Sequence, residues 1–288
     1  MSGTGSPRKL LVSKIHRDPR LQMRHRLDRK IVSKYATVYE TNGAAMPPVE
    51  VVQTKQRLLL VDGYHRLAAL ESIGATRVEA LVSEGNFKGL KLRLGREKLA
   101  DDLAVIDAVR GAVGEDVKLM VDFNQGLNLG DALRRCHALD DQGLYWFEEP
   151  IAYNNLAGYA QLARELRTPI QLGENFYGPR ALYQAIALGC GDYVMPDLMR
   201  IGGVTGWLRS AAIAGAAGID MSTHLYPEFS AHLMRATETA HWLEWQDWGD
   251  PILAEPFAVS DGCLAIPDRP GAGIDWDEDA VRRYQYDA

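Results

Sequence analysis

The chain has 288 residues, 47% of them hydrophobic and 24% charged, with a formal net charge of −6. That length buries one large core or two smaller ones, and the composition is that of an ordinary soluble globular protein. The sequence has neither the long apolar run of a membrane span nor, in MSGTGSPRKLLVSKIHRD, the apolar core of a signal peptide, so a cytoplasmic protein without a membrane partner is expected. Cys136, Cys190 and Cys263 are odd in number and widely spaced, which fits a reducing compartment and argues against a disulfide framework. The charge is uneven: residues 1–86 carry 14 Lys/Arg against 8 Asp/Glu, while residues 87–288 carry 18 against 30. Such a swing predicts two domains, 1–86 and 87–288.

In chain order, residues 9–85 read as a compact α+β unit. KLLVSKI and PPVEVVQTKQRLLLVDG have strand character; RKIVSKYATVYETNG and HRLAALESIG have helical character, the second stopped by Gly74. Val61-Asp62-Gly63-Tyr64-His65-Arg66 places a turn directly before a helix N-terminus, where backbone N–H groups with His65 and Arg66 could hold a phosphate. A purely structural turn accounts for the same residues. VEALVSEG (78–85) either belongs to this unit or fills a gap in the next.

Beyond residue 87 the pattern alternates. The apolar runs LKLRLG, VKLMVDFN, LYWFEEP, IQLGEN, DYVMPDLM, DMSTHL and HWLEW are separated by helical stretches such as REKLADDLAVIDAVRGAVG and TGWLRSAAIAGAAG. Strands alternating with helices imply a parallel sheet, because parallel neighbours need a crossover. Successive crossovers fit a (β/α)₈ barrel, of which seven strands are present.

Polar residues recur at the C-terminal ends of these strands: Asp122 and Asn124, Glu148 and Glu149, Glu174 and Asn175, Asp197, His224 and Glu244. In a barrel that edge carries the active site. Three carboxylates converging from consecutive strands repel one another unless a cation lies between them, and an all-oxygen set selects a hard ion such as Mg²⁺. Asp197 and His224, on the next two strands, are placed to form a base with its orienting carboxylate.

VDFNQ, WFEEP, QLGEN, MPDLMRIGGVTGW, MSTHLYPEFSAH and AHWLEW resemble the motifs of the mandelate racemase subgroup of the enolase superfamily. The resemblance implies Asp122, Glu148 and Glu174 as Mg²⁺ ligands and Asp197–His224 as the general-base dyad. It further implies that Glu244 contacts the substrate carboxylate, that Asn124 is a polar neighbour and that the substrate is a hydroxy acid or acid sugar. The family's second strand often carries Lys-x-Lys, the second Lys serving as the opposite-face base; here it reads Lys91-Leu92-Arg93. Arginine stays protonated, so dehydration by one base is favoured over two-base racemisation. Arg200 stands where a Lys is common and is a candidate substrate contact.

The resemblance starts at the family's second barrel strand, so the capping domain and the first βα unit are expected to be missing. Residues 9–86 resemble the N-terminal domain of ParB-like partition proteins, the fold shared with sulfiredoxin, through LLVSKI, Arg20-Leu21-Gln22-Met23-Arg24, Pro47-Pro48-Val49-Glu50-Val51 and Asp62-Gly-Tyr-His-Arg. That implies nucleotide or nonspecific nucleic-acid contact through Asp62, Gly63, His65 and Arg66, supported by Arg24. The expected architecture is therefore α/β, an incomplete (β/α)₈ barrel fused to a small ParB-like α+β domain. Its expected function is that of a Mg²⁺-dependent lyase or isomerase; family relatives are commonly homo-oligomers. The alternatives are a ParB-like binding module joined to an inactive barrel fragment, or a join with no evolved joint function.

Overall fold

The computed structural model describes residues 8–17, 27–42, 46, 48–53, 58–83 and 87–285. The chain divides into two compact units. One comprises Met1–Lys88 with Ala100–Val117 and Ala258–Cys263; the other comprises Gly89–Leu99, Lys118–Phe257 and Leu264–Ala288.

The first unit is built on a mixed five-stranded sheet in the order β1 (Arg8–Leu11), β5 (Arg77–Ser83), β3 (Val49–Gln53), β4 (Leu58–Asp62), β2 (Ile15–His16). Helices α1 (Arg29–Asn42) and α2 (Tyr64–Ser72) pack on each other. The core gathers Val49, Val51, Leu60, Leu67 and Ala80, all buried. VEALVSEG thus forms β5, antiparallel to β1 and parallel to β3. With both its edges taken, it does not serve as an extra barrel strand. Helix α3 (Leu99–Val113) turns Val105, Ile106 and Val109 inward, the one-sided apolar spacing read from its sequence.

The second unit carries six parallel strands in simple chain order: β6 (Gly89–Arg93), β7 (Lys118–Asp122), β8 (Phe147–Glu148), β9 (Ile170–Leu172), β10 (Tyr193–Val194) and β11 (Asp220–Met221). Crossover helices include α4 (Leu129–Leu139), α5 (Leu156–Glu165), α6 (Pro179–Ala187) and α7 (Gly203–Ala217), followed by α8 (Pro227–Met234). Their starts are signalled locally. The side chains of Asn128 and Asn155 accept from the N–H of Asp131 (2.9 Å) and Gly158 (3.0 Å), and Pro179 occupies the first turn of α6. Gly218, in the left-handed region at φ 66°, ends α7.

The seventh expected strand, HWLEW, is a correction. Residues 241–245 are irregular, joined to β11 by a parallel bridge between Met221 and Ala240 and by the N–H of His241 bonding the Met221 carbonyl (3.1 Å). Towards β6 the contact is through side chains: Trp242 lies over Gly89, where a Cβ would meet its ring at 3.2 Å, and Glu244 reaches Lys91. Without a ladder on that side, these residues are not held to strand dihedrals. At the strands' N-terminal ends an aromatic layer forms the floor. Tyr145 stacks on Tyr193 with centroids 6.1 Å apart, and the Tyr145 hydroxyl lies 2.8 Å from His241 Nε2.

Candidate metal and proton-transfer site

Strand register assembles the site. Arg93 is paired with Asp122 across β6 and β7, and Asp122 with Glu148 across β7 and β8. Glu174 follows β9 after Gly173, whose φ of 132° and close approach to the Met195 N–H (3.2 Å from a Cβ) leave no room for a side chain. One carboxylate oxygen from each of Asp122, Glu148 and Glu174 lies within 4.8 Å of the others, and all three residues are buried. Oxygens so close, all from carboxylates and partly charge-balanced by protein cations, suit a small hard dication.

Each acid faces its own basic group. Arg93 Nη2 is 2.9 Å from Asp122 Oδ2, Lys91 Nζ is 2.5 Å from Glu148 Oε1, and His224 Nε2 is 3.3 Å from Glu174 Oε2. Lys91 also reaches Glu244 Oε1 at 2.7 Å. Burial opposes the Lys91 charge, but Glu148, Glu244 and Asp122 outweigh it and raise its pKa. Burial likewise lifts Glu148, against the pull of Lys91. In Glu244, burial is overcome by Lys91 and His224, so its carboxyl titrates below the usual range.

His224 and Asp197 form the second half of the site. Their strands meet at a parallel bridge, and His224 Nδ1 lies 2.8 Å from Asp197 Oδ2. Asp197 Oδ1 accepts from the N–H of Met199 and of Arg200, each at 2.9 Å. The hydrogen bond to Asp197 and the charges of Glu174 and Glu244 overcome burial and raise the His224 pKa. Asn124, at φ 45°, donates its N–H to Asp122 Oδ1 (2.6 Å). Arg200 donates from Nη1 to the Glu174 carbonyl (3.0 Å), which fixes the loop bearing that acid.

Two supporting residues escaped the sequence reading. Trp146 Nε1 donates to Glu148 Oε2 at 3.0 Å, and Asn175 Nδ2 donates to Glu149 Oε2 at 2.7 Å. Trp146 was findable, since a residue two before a strand-end acid points to the same face. Glu149 is fully buried, and burial together with Glu174 lifts its carboxyl to about 7.

In the first unit, Gly63 at φ 93° precedes α2, and a Cβ there would meet Val49 Cγ1 at 2.7 Å. His65 is buried and its Nε2 accepts the Asp28 N–H at 2.9 Å, tying α2 to the start of α1. Asp62 ends β4, Arg66 lies in the first turn of α2, and Arg24 lies outside the described residues.

Consecutive parallel strands joined by helices, with acids on one rim, define a carboxylate-rimmed β/α barrel. The family described as enolase C-terminal domain-like matches residues 75–280, and the chain belongs to it. L-talarate/galactarate dehydratase of Salmonella typhimurium is 35% identical over 199 residues, covering 69% of this chain and 50% of that protein. Among solved structures, an enolase from alpha proteobacterium bal199 with bound Mg is 62% identical, with a TM-score of 0.67 over 68% of this chain and 54% of that one. An enolase from Bradyrhizobium complexed with magnesium and mandelic acid is 46% identical, with a TM-score of 0.67 over 71% and 56%. The chain spans about half the length of the curated relatives it matches.

Proposed function

We propose that this chain is a Mg²⁺-dependent lyase or isomerase that removes the α-proton of a hydroxy-acid or acid-sugar carboxylate, with dehydration as its outcome. The observation that carries the reading is the Asp197–His224 pair facing the three buried carboxylates. Asp122, Glu148 and Glu174 are the residues that would hold the ion. When bound, it supplies positive charge against the substrate carboxylate and so acidifies the neighbouring C–H.

The remaining chemistry belongs to side chains. Asp197 holds the Nδ1–H of His224 and leaves Nε2 as the proton acceptor. The imidazolium formed is then positioned to protonate a departing β-hydroxyl, completing a loss of water with one residue as base and acid. Lys91, between Glu148 and Glu244, is a fixed cation for a substrate carboxylate. Arg93 cannot give up its proton, so it contributes charge and not a second base. The relatives named a dehydratase and bound to mandelic acid support an acid of this kind.

The test is α-proton exchange in D₂O with Mg²⁺ across a panel of hydroxy acids and acid sugars, read by NMR. Exchange that disappears in His224→Asn supports the reading. No exchange with any acid, together with no thermal shift on adding Mg²⁺, overturns it. For residues 1–86 we infer a separate ParB-like domain contacting nucleotide phosphates, supported by the left-handed Gly63 turn before α2. A thermal shift with ATP or CTP that is lost in Arg66→Ala tests it.

A further inference from the structure

We propose that the site takes a 2-hydroxy acid whose far end is apolar or aromatic, and that this end seats in a groove beside His224. The inference rests on the proton-abstraction reading above and narrows its substrate class. The groove has a volume of about 300 Å³ and is walled by Leu225, Tyr226, Phe229, Trp248, Ile252 and Trp276. A space of that size accepts a phenyl or short branched alkyl group.

Its position links it to the chemistry. One wall is the turn immediately after His224, where Leu225 and Tyr226 sit in the left-handed region at φ 53° and 50°. Side chains of L-residues disfavour that region, so the turn must be held by its surroundings. Leu225 N–H donates to Glu244 Oε2 at 2.8 Å, Ser230 Oγ donates to the Leu225 carbonyl at 3.0 Å, and Ser230 N–H donates to the Tyr226 carbonyl at 2.8 Å. Another wall includes Gln246, two residues beyond Glu244. Both walls therefore continue backbone that already carries a site group.

The lining also decides the ligand chemistry. Tyr226, Phe229, Trp248 and Trp276 are 37%, 46%, 67% and 53% exposed, a concentration of aromatic surface that solvent alone does not favour. The only charged lining residue is Glu228, and no cation lines the groove. A second carboxylate, as in an aldaric acid, would find no counter-charge there and would face Glu228; an aryl or alkyl group loses nothing by entering.

The experiment is isothermal titration of the full chain loaded with Mg²⁺, using 2-hydroxy-2-phenylpropanoate and galactarate as probes. The aryl acid is expected to bind at least about tenfold tighter. Trp276→Ala and Phe229→Ala, both at exposed positions that tolerate truncation, should each cut that preference about fivefold. Tyr183→Ala on α6, outside the groove, should leave the preference as it was. Equal or tighter galactarate binding, binding of neither acid, or a preference unmoved in both groove variants overturns the proposal. So does a concentration-dependent self-association that covers Trp248 and Trp276. Failure of the underlying reading has a different signature: mandelate binds with groove-dependent affinity, yet its α-proton does not exchange in D₂O.

Discussion

Lys91 Nζ lies 2.7 Å from Glu244 Oε1, so an ion pair spans from the first barrel strand to the irregular segment after the last. The same ammonium is 2.5 Å from Glu148, which is fully buried. One cation thus neutralises an interior acid and ties two parts of the barrel that share no backbone ladder.

Removing it should therefore be costly. Lys91→Met leaves Glu148 and Glu244 buried without a partner, a loss of about 3–5 kcal/mol for a broken buried pair. The expected result is a marked fall in Tm in EDTA and partial recovery on adding Mg²⁺, read by thermal melts of the variant and the parent. An unchanged Tm in EDTA would show that the pair carries no net stability.

Mg²⁺ should raise the Tm of the parent, because a ligand that binds only the folded state stabilises it by about 2.7 kcal/mol at a hundred times Kd. Asp122→Asn, Glu148→Gln and Glu174→Gln should each abolish most of that rise. Retention of the full rise in all three would place the ion elsewhere.

The next pair of variants addresses proton transfer. His224→Asn should lower α-proton exchange by at least about a hundredfold, the usual worth of a positioned general base. Arg93→Lys introduces a side chain that can lose its proton, and it should open exchange of the opposite enantiomer. Chiral analysis of deuterated product distinguishes the two faces; identical stereochemistry in parent and variant would refute a base role at position 93.

Much of this arrangement was legible in the sequence. Acids repeating at the ends of VKLMVDFN, WFEEP and QLGEN announce one rim, since local strand pattern and crossover length fix which end each residue occupies. What stayed hidden depends on contacts between distant residues. HWLEW has strand composition, yet its β6 side is met by the Trp242 ring and the Lys91–Glu244 pair in place of a ladder, so it is irregular. Arg200 looked free to meet substrate, but its guanidinium bonds a main-chain carbonyl at Glu174. His65 read as a phosphate contact, while its ring accepts the Asp28 N–H from a segment 37 residues away. No periodicity encodes such pairings.

A pH effect should arise away from the rim. Burial, with Asp247 and Glu228 nearby, lifts the Asp250 carboxyl to about 7, and its Oδ1 has no hydrogen-bond partner among the described residues. The folded state then holds a proton that the unfolded chain releases near the ordinary carboxylate range, so this residue's contribution to stability falls as pH rises towards about 7. Asp250→Asn should remove that fall, raising Tm by a few degrees at about pH 8 and little at about pH 5, where 1 kcal/mol corresponds to about 2–4 °C. An equal shift at both pH values would exclude this titration.

Gly206 offers a packing test. A Cβ there would lie 2.0 Å from the Ile201 carbonyl oxygen, a rigid backbone atom. Gly206→Ala should cost more than about 2 kcal/mol by forcing α7 away from that carbonyl, despite alanine's better helix propensity. Denaturant melts measure it, and a neutral or stabilising result would show that the turn yields easily.

The one-to-one matching of Arg93, Lys91 and His224 with Asp122, Glu148 and Glu174 has a consequence for order of events. Carboxylates that already have local counter-charges do not need an ion to keep them from driving one another apart. Folding and metal loading are thereby uncoupled, so a freshly made chain can reach its native state in chelator and be charged with Mg²⁺ afterwards. The rate of that charging would report how fast the three basic side chains let go.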